Sequence, residues 1–386
     1  MDTLTRTFRW VLALLSVLAL AGSATVTNAH TPSLLVWSQA GPAGWSEWKM
    51  QDTRLDGARI VLDQPALTPD SSADFSGLVE SAIREVSFDE LIPSWNARTP
   101  GGTWIETFAR VRIDGGWTGW YSLGRWSSDG QDGNRRSVKG QDDDRVKVMT
   151  DTLRVRDMAE AYQLRVVLHS MVASVSPELS LVAAVATSGA AAGWSETSSP
   201  SITATVLDVP ERSQMIYPNG GEVWCSPTST SMVMAYWADQ GGDPGLNRPV
   251  PDVATGTYDP VYRGNGNWPF NTAYAANAGL TAYVSRGSSL QDAERWLAAG
   301  VPVVASLGWS GGQLPEAPVG STNGHLLVIV GVTERGDVVV NDPAADPRRG
   351  QRVRRVYNRE RFESLWLAYS GGTMYLIYPA DHAVPL

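Results

Sequence analysis

Cysteine is nearly absent: Cys225 is the only one in 386 residues. A lone cysteine excludes any internal disulfide, so stability has to come from buried apolar surface. Histidine is scarce too, with four in the chain. None of the four stands in a histidine–carboxylate cluster of metal-ligand spacing, so no metal or other cofactor is expected. The aspartates at 142–144 and the pair Asp129 and Asp132 lack a full calcium-ligand spacing and read as solvated turns. Positive charge is in deficit, with 31 Lys and Arg against 40 Asp and Glu. A net charge of -9 excludes a nucleic-acid partner and disfavours an anionic membrane surface. Long apolar runs are missing after residue 21, so no span is expected in the mature protein, since spanning takes roughly 20 apolar residues.

The 43% hydrophobic and 18% charged residues that are present suit a chain able to bury real cores. The length favours two domains plus an export segment. Arg6 and Arg9 precede an apolar run at 10–21, and Gly22, Ser23 and Ala24 follow. A charged start, a short apolar stretch and a small-residue exit describe a signal peptide over residues 1–29, cut after Ala24 or Ala29. The two arginines are not adjacent, so general secretion is expected and the location is extracellular.

Residues 33–188 read as strands. The segments 104–113 (WIETFARVRI), 146–155 (VKVMTDTLRV) and 162–168 (YQLRVVL) are rich in β-branched and aromatic residues, and turn clusters separate them. An all-β, jelly-roll-like sandwich domain is expected. Trp37, Trp45, Trp48, Trp95, Trp104, Trp117, Trp120 and Trp126 crowd this half, with GWSEW at 44–48 echoed by GWTGW at 116–120. Such rings either fill the space between sheets, the preferred reading, or line a polysaccharide- or cell-wall-binding face. An exposed linker at 189–207 leads to a second domain at 208–386. There, helices are expected at 227–237, 290–299 and 360–367, and strands at 301–306, 325–332, 337–341 and 373–378. Helices first and antiparallel strands later make an α+β domain.

Cys225 stands just before the first of these helices. A sulfur there faces unpaired N–H groups and the positive end of the helix dipole, which favours thiolate and can bring a cysteine pKa from about 8.5 into the range ~3.5–7.5. A nucleophile needs a base. His30 lies at the signal boundary, His169 in the β-domain and His382 in a short C-terminal tail, which leaves His325. The strand from His325 turns at Glu334, Arg335 and Gly336 and returns through 337–341 to Asp342. In an antiparallel hairpin that brings His325 and Asp342 to within one or two pair positions of facing. An acid there would fix the imidazole tautomer and support imidazolium. Asn341 competes for this role, but strand alternation sends it to the opposite face. Gln214, in a loop upstream of Cys225, carries a side-chain amide able to serve a developing oxyanion.

The segments VPERSQ (209–214), WCSPTSTSMVMAYW (224–237), GHLLVIVGV (324–332), VVNDPA (339–344) and YNRERFESLW (357–366) together resemble family thirty-nine of the clan CA cysteine peptidases, the papain-like group related to bacteriocin-leader peptidases. The resemblance implies a papain-like cysteine peptidase domain over 208–386. Its nucleophile is Cys225, its general base His325, its orienter Asp342 and its oxyanion donor Gln214, and it takes a peptide or protein substrate. Two departures stand out: Ser226 replaces the usual glycine after the nucleophile, and no exporter segment is present. Leader cleavage is therefore not carried over. The expected function is secreted peptide-bond hydrolysis. The alternatives are amidase or transpeptidase action on cell-wall peptide, and a surface-binding protein without catalysis.

Overall fold

The structure is a computed structural model that describes the backbone of residues 33–40 and all of residues 44–63, 75–130, 133–172, 174–188 and 197–385. The expected signal segment, His30, the Trp37 side chain, Asp132 and the first part of the linker lie outside the described residues.

Among the described residues, twelve strands make up the N-terminal half. They begin with β1 (Ser33–Ala40), β2 (Lys49–Gln51), β3 (Thr53–Asp56), β4 (Arg59–Leu62), β5 (Phe75–Glu80) and β6 (Arg84–Arg98). β7 (Thr103–Ile113), β8 (Gly116–Trp117), β9 (Tyr121–Trp126), β10 (Val146–Met149), β11 (Thr152–Ser170) and β12 (Glu178–Ser188) complete the set. All pairs are antiparallel and join in one sheet, with the path β2-β5-β11-β6-β12-β4-β3. The 19-residue β11 closes it. Its first residues pair with β6 and β10, and its last with β7 on one side and β5 on the other, with register shifts between Arg154 and Ala161. Bulges of this kind bend a strand and increase its twist. The all-β expectation holds, but the result is a nearly closed, barrel-like sheet rather than clearly a jelly roll. The segment 146–155, expected as one strand, is a hairpin turning at Thr150, whose φ is 61°.

Tryptophan fills the barrel as the preferred reading expected. Trp45, Trp48, Trp95 and Trp126 are buried in its core, while Trp104, also buried, lies outside that cluster against His169. Trp117 and Trp120 lie half-buried on the outside, against the guanidinium groups of Arg110, Arg112 and Arg165 at 4.1–5.8 Å from the ring centres. Those stacks leave little open indole face.

β13 (Thr205–Val206) leads into the C-terminal half and pairs with β16 (Thr322–Val332). Helices α1 (Cys225–Gly241), α2 (Val250–Thr257) and α3 (Trp268–Asn277) precede β14 (Leu280–Arg286), α4 (Leu290–Ala298) and β15 (Val303–Trp309). β17 (Val338–Asn341), β18 (Arg354–Tyr357), α5 (Arg359–Ser370) and β19 (Thr373–Pro379) complete the chain. The sheet order is β14-β19-β15-β16-β17-β18, which is the expected α+β arrangement. α2, α3, β14 and β18 had no sequence expectation.

The two halves interlock. Phe270 of α3 is fully buried and inserts into the barrel core, 5.4 Å from the ring centre of Trp126 and 6.3 Å from Trp95. β12 alternates with period two: Val182, Ala184 and Ala186 face the barrel, while Leu181, Ala183 and Val185 join the core of the C-terminal half. Along the edge strand β14, the Ala282 N–H donates to Asn96 Oδ1 at 3.2 Å and the Val284 N–H to Ser94 Oγ at 3.1 Å. Buried Arg286 pairs with Glu90 at 2.6 Å. Asp151, at the β10–β11 turn, accepts from the Trp268 N–H at 2.8 Å, at the start of α3.

The arginine-rich stretch 348–361 is partly interior. Arg359 is buried against Glu294 and also donates to the Ser198 carbonyl, anchoring the chain that leads into the domain. Within described residues, no helix is long and apolar enough to cross a membrane.

Candidate active site

α1 begins at Cys225, with Trp224 as its N-cap, and no side chain caps the first N–H groups. The helix is buried nearly all round, from Ser226 to Ala238. Four of its five small hydroxyl residues find a partner that replaces water, while Thr228 Oγ1 is buried without one. Ser226 Oγ meets the Tyr375 hydroxyl at 2.9 Å, and Ser231 Oγ donates to the Arg248 carbonyl at 2.8 Å. Ser229 Oγ donates to the Leu326 carbonyl at 3.1 Å, which ties the helix one turn past Cys225 to the residue after His325.

β16 brings His325 to the same place. It pairs with Leu307 of β15 and is buried, with Trp309 edge-on at 5.6 Å. The β16–β17 register pairs Val328 with Asn341 and carries a shift near Gly331. Asp342 therefore lies two positions off direct opposition to His325, as the hairpin count predicts. The gap is bridged: His325 Nε2 lies 2.8 Å from Asp342 Oδ1, and Asp342 has no exposed surface. The same Oδ1 accepts from the Ala344 N–H at 2.8 Å, and Oδ2 accepts from the Tyr357 hydroxyl at 2.5 Å. Asn341 points the other way, donating to the Val209 carbonyl at 3.0 Å and accepting from Arg354.

Electrostatics follow from this geometry. Burial pushes the Cys225 thiol up, but the hydrogen bond and charge of His325 and the Leu326 and Ser226 N–H groups outweigh it, so its pKa is lowered. Burial alone would lower the pKa of His325. The charge and hydrogen bond of Asp342, with smaller help from Cys225, raise it instead to about 10. Asp342 is lowered despite burial, held by His325, Tyr357 and the Ala344 N–H. With Nε2 taken by Asp342, the other ring nitrogen of His325 is left for the sulfur. Cys225 itself is partly exposed.

Gln214 opens a short 3-10 turn and is buried. Its N–H donates to the Pro343 carbonyl at 2.9 Å, next to Asp342, and Ser213 Oγ donates to the Ala345 carbonyl at 2.6 Å. Gly221 makes the turn possible, since a Cβ there would sit 2.2 Å from the Gln214 carbonyl oxygen. The Gln214 Oε1 is buried without a partner. An open cleft of about 450 Å³ flanks this turn, lined by Arg212, Ser213, Ile216 and Tyr217 among others, and none of Cys225, His325 and Asp342 lines it.

The remaining histidines lie elsewhere: His169 stacks on Trp104 at 4.8 Å, and His382 meets the Ala299 carbonyl at 2.7 Å. Sequence reasoning missed Tyr357, because the arginine-rich run around it masks β18. It also missed Ser229, whose partner is a backbone carbonyl.

Two family models match the chain: residues 35–187 match the peptidase C39 N-terminal domain, and residues 206–374 the peptidase C39-like family. The chain belongs to the peptidase C39-like family, a cysteine-type hydrolase family, and carries a C39 N-terminal domain ahead of it. That membership implies a peptide substrate. Among solved structures, a candidate C39-like peptidase from Bacillus anthracis is 17% identical with a TM-score of 0.33, over 45% of this chain and 98% of that one. Hazelnut (Corylus avellana) vicilin is 9% identical with a TM-score of 0.16, over 87% of this chain and 84% of that one. Neither score carries an argument about fold. No curated protein matches the chain.

Proposed function

We propose that this chain is a secreted, papain-like cysteine peptidase that hydrolyses peptide bonds through Cys225, His325 and Asp342. The observation that carries the reading is the buried His325, held by Asp342 at 2.8 Å and close enough to the Cys225 thiol to lower its pKa against burial. The lowered thiol and raised imidazole favour a thiolate–imidazolium pair, the nucleophilic form. The thiolate attacks the substrate carbonyl, and His325 passes its proton to the leaving amine. Water then attacks the thioester with His325 as base, returning the acid product and the thiol. Asp342 holds the ring and supports its charge throughout, positioned in turn by Tyr357. The Gln214 amide is assigned to the oxyanion. Its support is the turn tied to Pro343, the residue after Asp342; the donor would be the side-chain N–H, not the buried Oε1. Export rests on residues 1–29 alone.

The test uses protein recovered from the medium of an expressing host, so that its N-terminal residue is read in the same preparation. Cys225→Ala and His325→Ala are each expected to lower peptide hydrolysis by about a thousandfold or more, and the double variant hardly further, because the two residues act as a unit. Full hydrolysis by Cys225→Ala would sink the reading. A chain kept in the cells with residues 1–29 intact would sink export alone.

A further inference from the structure

Two half-exposed tyrosines of the C-terminal half are each seated on glycines. Tyr369, near the end of α5, is 44% exposed. Its ring lies over Gly308 of β15, where a Cβ would come within 2.5 Å of the ring carbons. Its hydroxyl lies over Gly324, the residue before His325, where a Cβ would come within 2.7 Å. Gly324 has φ +148°, a conformation other side chains rarely adopt, so two separate features of the backbone make room for this one ring. The hydroxyl donates to the Asn323 carbonyl, which fixes the ring while its outer face stays open.

Tyr262, in the turn before α3, is 48% exposed and packs on Gly264 and Gly266 in the same manner. Its N–H is held by Asp259 Oδ1 at 3.1 Å. Burial raises both phenols, and the charge of Cys225 acts on each of them. The geometry itself places Tyr369 at Asn323 and Gly324, the two residues before His325. Val223, two residues before Cys225, is 62% exposed. Val223 and Tyr369 thus leave apolar surface open beside Cys225 and His325, and such surface suits a binding site.

Resting on the cysteine-peptidase reading, we infer that Tyr369 determines specificity by holding a large apolar side chain next to the scissile bond. A flat ring fixed by its hydroxyl offers such a side chain area at little entropic cost. The neighbouring glycines keep the ring from being lifted off the sheet.

The experiment compares hydrolysis of quenched fluorescent peptides carrying Ala or Phe at each position flanking the cleaved bond. Cys225 alkylation by iodoacetamide is measured alongside, because it reads the thiolate without any peptide. The wild type is expected to favour Phe over Ala at one flank by roughly tenfold or more in kcat/KM. Tyr369→Ala should bring that ratio close to one, mainly through KM, with alkylation unchanged. Tyr369→Phe should keep the preference. A wild type that cuts none of the peptides or shows no preference overturns the inference, as does a Tyr369→Ala variant that keeps the preference. Equal loss on both peptides with slower alkylation also overturns it, since the ring would then only support the Asn323–Gly324 turn. Hydrolysis that survives Cys225→Ala removes the underlying reading instead.

Discussion

The β-domain carries most of its ion pairs in the open, whereas the C-terminal half buries several of its own. On the barrel surface, Arg112 pairs with Glu85 and Glu160, and Arg165 with Glu80, around the stacked Trp117 and Trp120. In the C-terminal half, Asp259, Glu294, His325, Asp342, Arg359 and Glu363 are all buried. Burying charge is expensive unless each group is paired and hydrogen-bonded. The C-terminal half meets that condition with networks that also fix loops: Glu363 holds Ser198 and the start of α4, and Asp342 holds His325 and Ala344. The β-domain has few buried charged groups, and two of them reach across. Arg135 donates to the Thr255 and Tyr258 carbonyls, and Asp151 caps α3. The difference separates a scaffold, where charge serves the surface, from a site, where charge sets geometry. Glu106 is the counter-example, buried yet held inside the sheet by Arg125 and Ser122.

That contrast breaks most readily at Phe270. Phe270→Ala empties an aromatic position between Trp95 and Trp126 and should cost about 3–5 kcal/mol. Because the ring belongs to one half and its pocket to the other, guanidinium unfolding followed by tryptophan fluorescence should show one transition shifted to lower denaturant. Two separated transitions, with only one of them moved, would mean that the halves are independent.

A smaller effect is expected at Asp151. Burial pushes its carboxyl up to about 6 against the hydrogen bonds from Trp268 and Thr152. A carboxyl raised on folding binds its proton more tightly in the native state, so it destabilises the fold above about pH 6 and this penalty disappears as pH falls toward 4. The stability of the wild type minus that of Asp151→Asn should therefore rise by on the order of 2–3 kcal/mol from pH 7 to pH 4. A flat difference would show that the carboxylate is already fully compensated. The smallest effect belongs to the outer ladder. Glu80→Gln removes a partly exposed partner of Arg165 and should change stability by less than about 1 kcal/mol, measured by the same unfolding curves.

Much of the site was legible because hairpin arithmetic is local. The distance of His325 and Asp342 from the turn at Glu334 to Gly336 places them near one another whatever the rest of the fold does. The helix start at Cys225 was legible for the same reason. The α+β order of the second half also followed from periodicity. What stayed hidden depends on distant partners. Closure of the barrel rests on where β11 bends, and no alternation pattern encodes that. The run LVAAVA at 181–186 is apolar on both faces, a sign of double burial. It was read as ordinary sandwich strand because the second covering surface comes from the other half. α3 was missed because Trp268, Pro269, Phe270 and Tyr274 serve two cores at once and leave no polar stripe.

The side chains along β14 carry one more consequence. A sheet edge with unpaired N–H groups is a template on which another chain can add a strand. Asn96 and Ser94 occupy the outward N–H groups of Ala282 and Val284, so the β-domain plugs that edge with side chains, where a further strand could itself be extended. Prised away from its barrel, the C-terminal half would show an apolar face and an open edge together, the combination from which fibrils and swapped dimers grow. The barrel is in this respect a guard against self-association, carried by the same chain it protects.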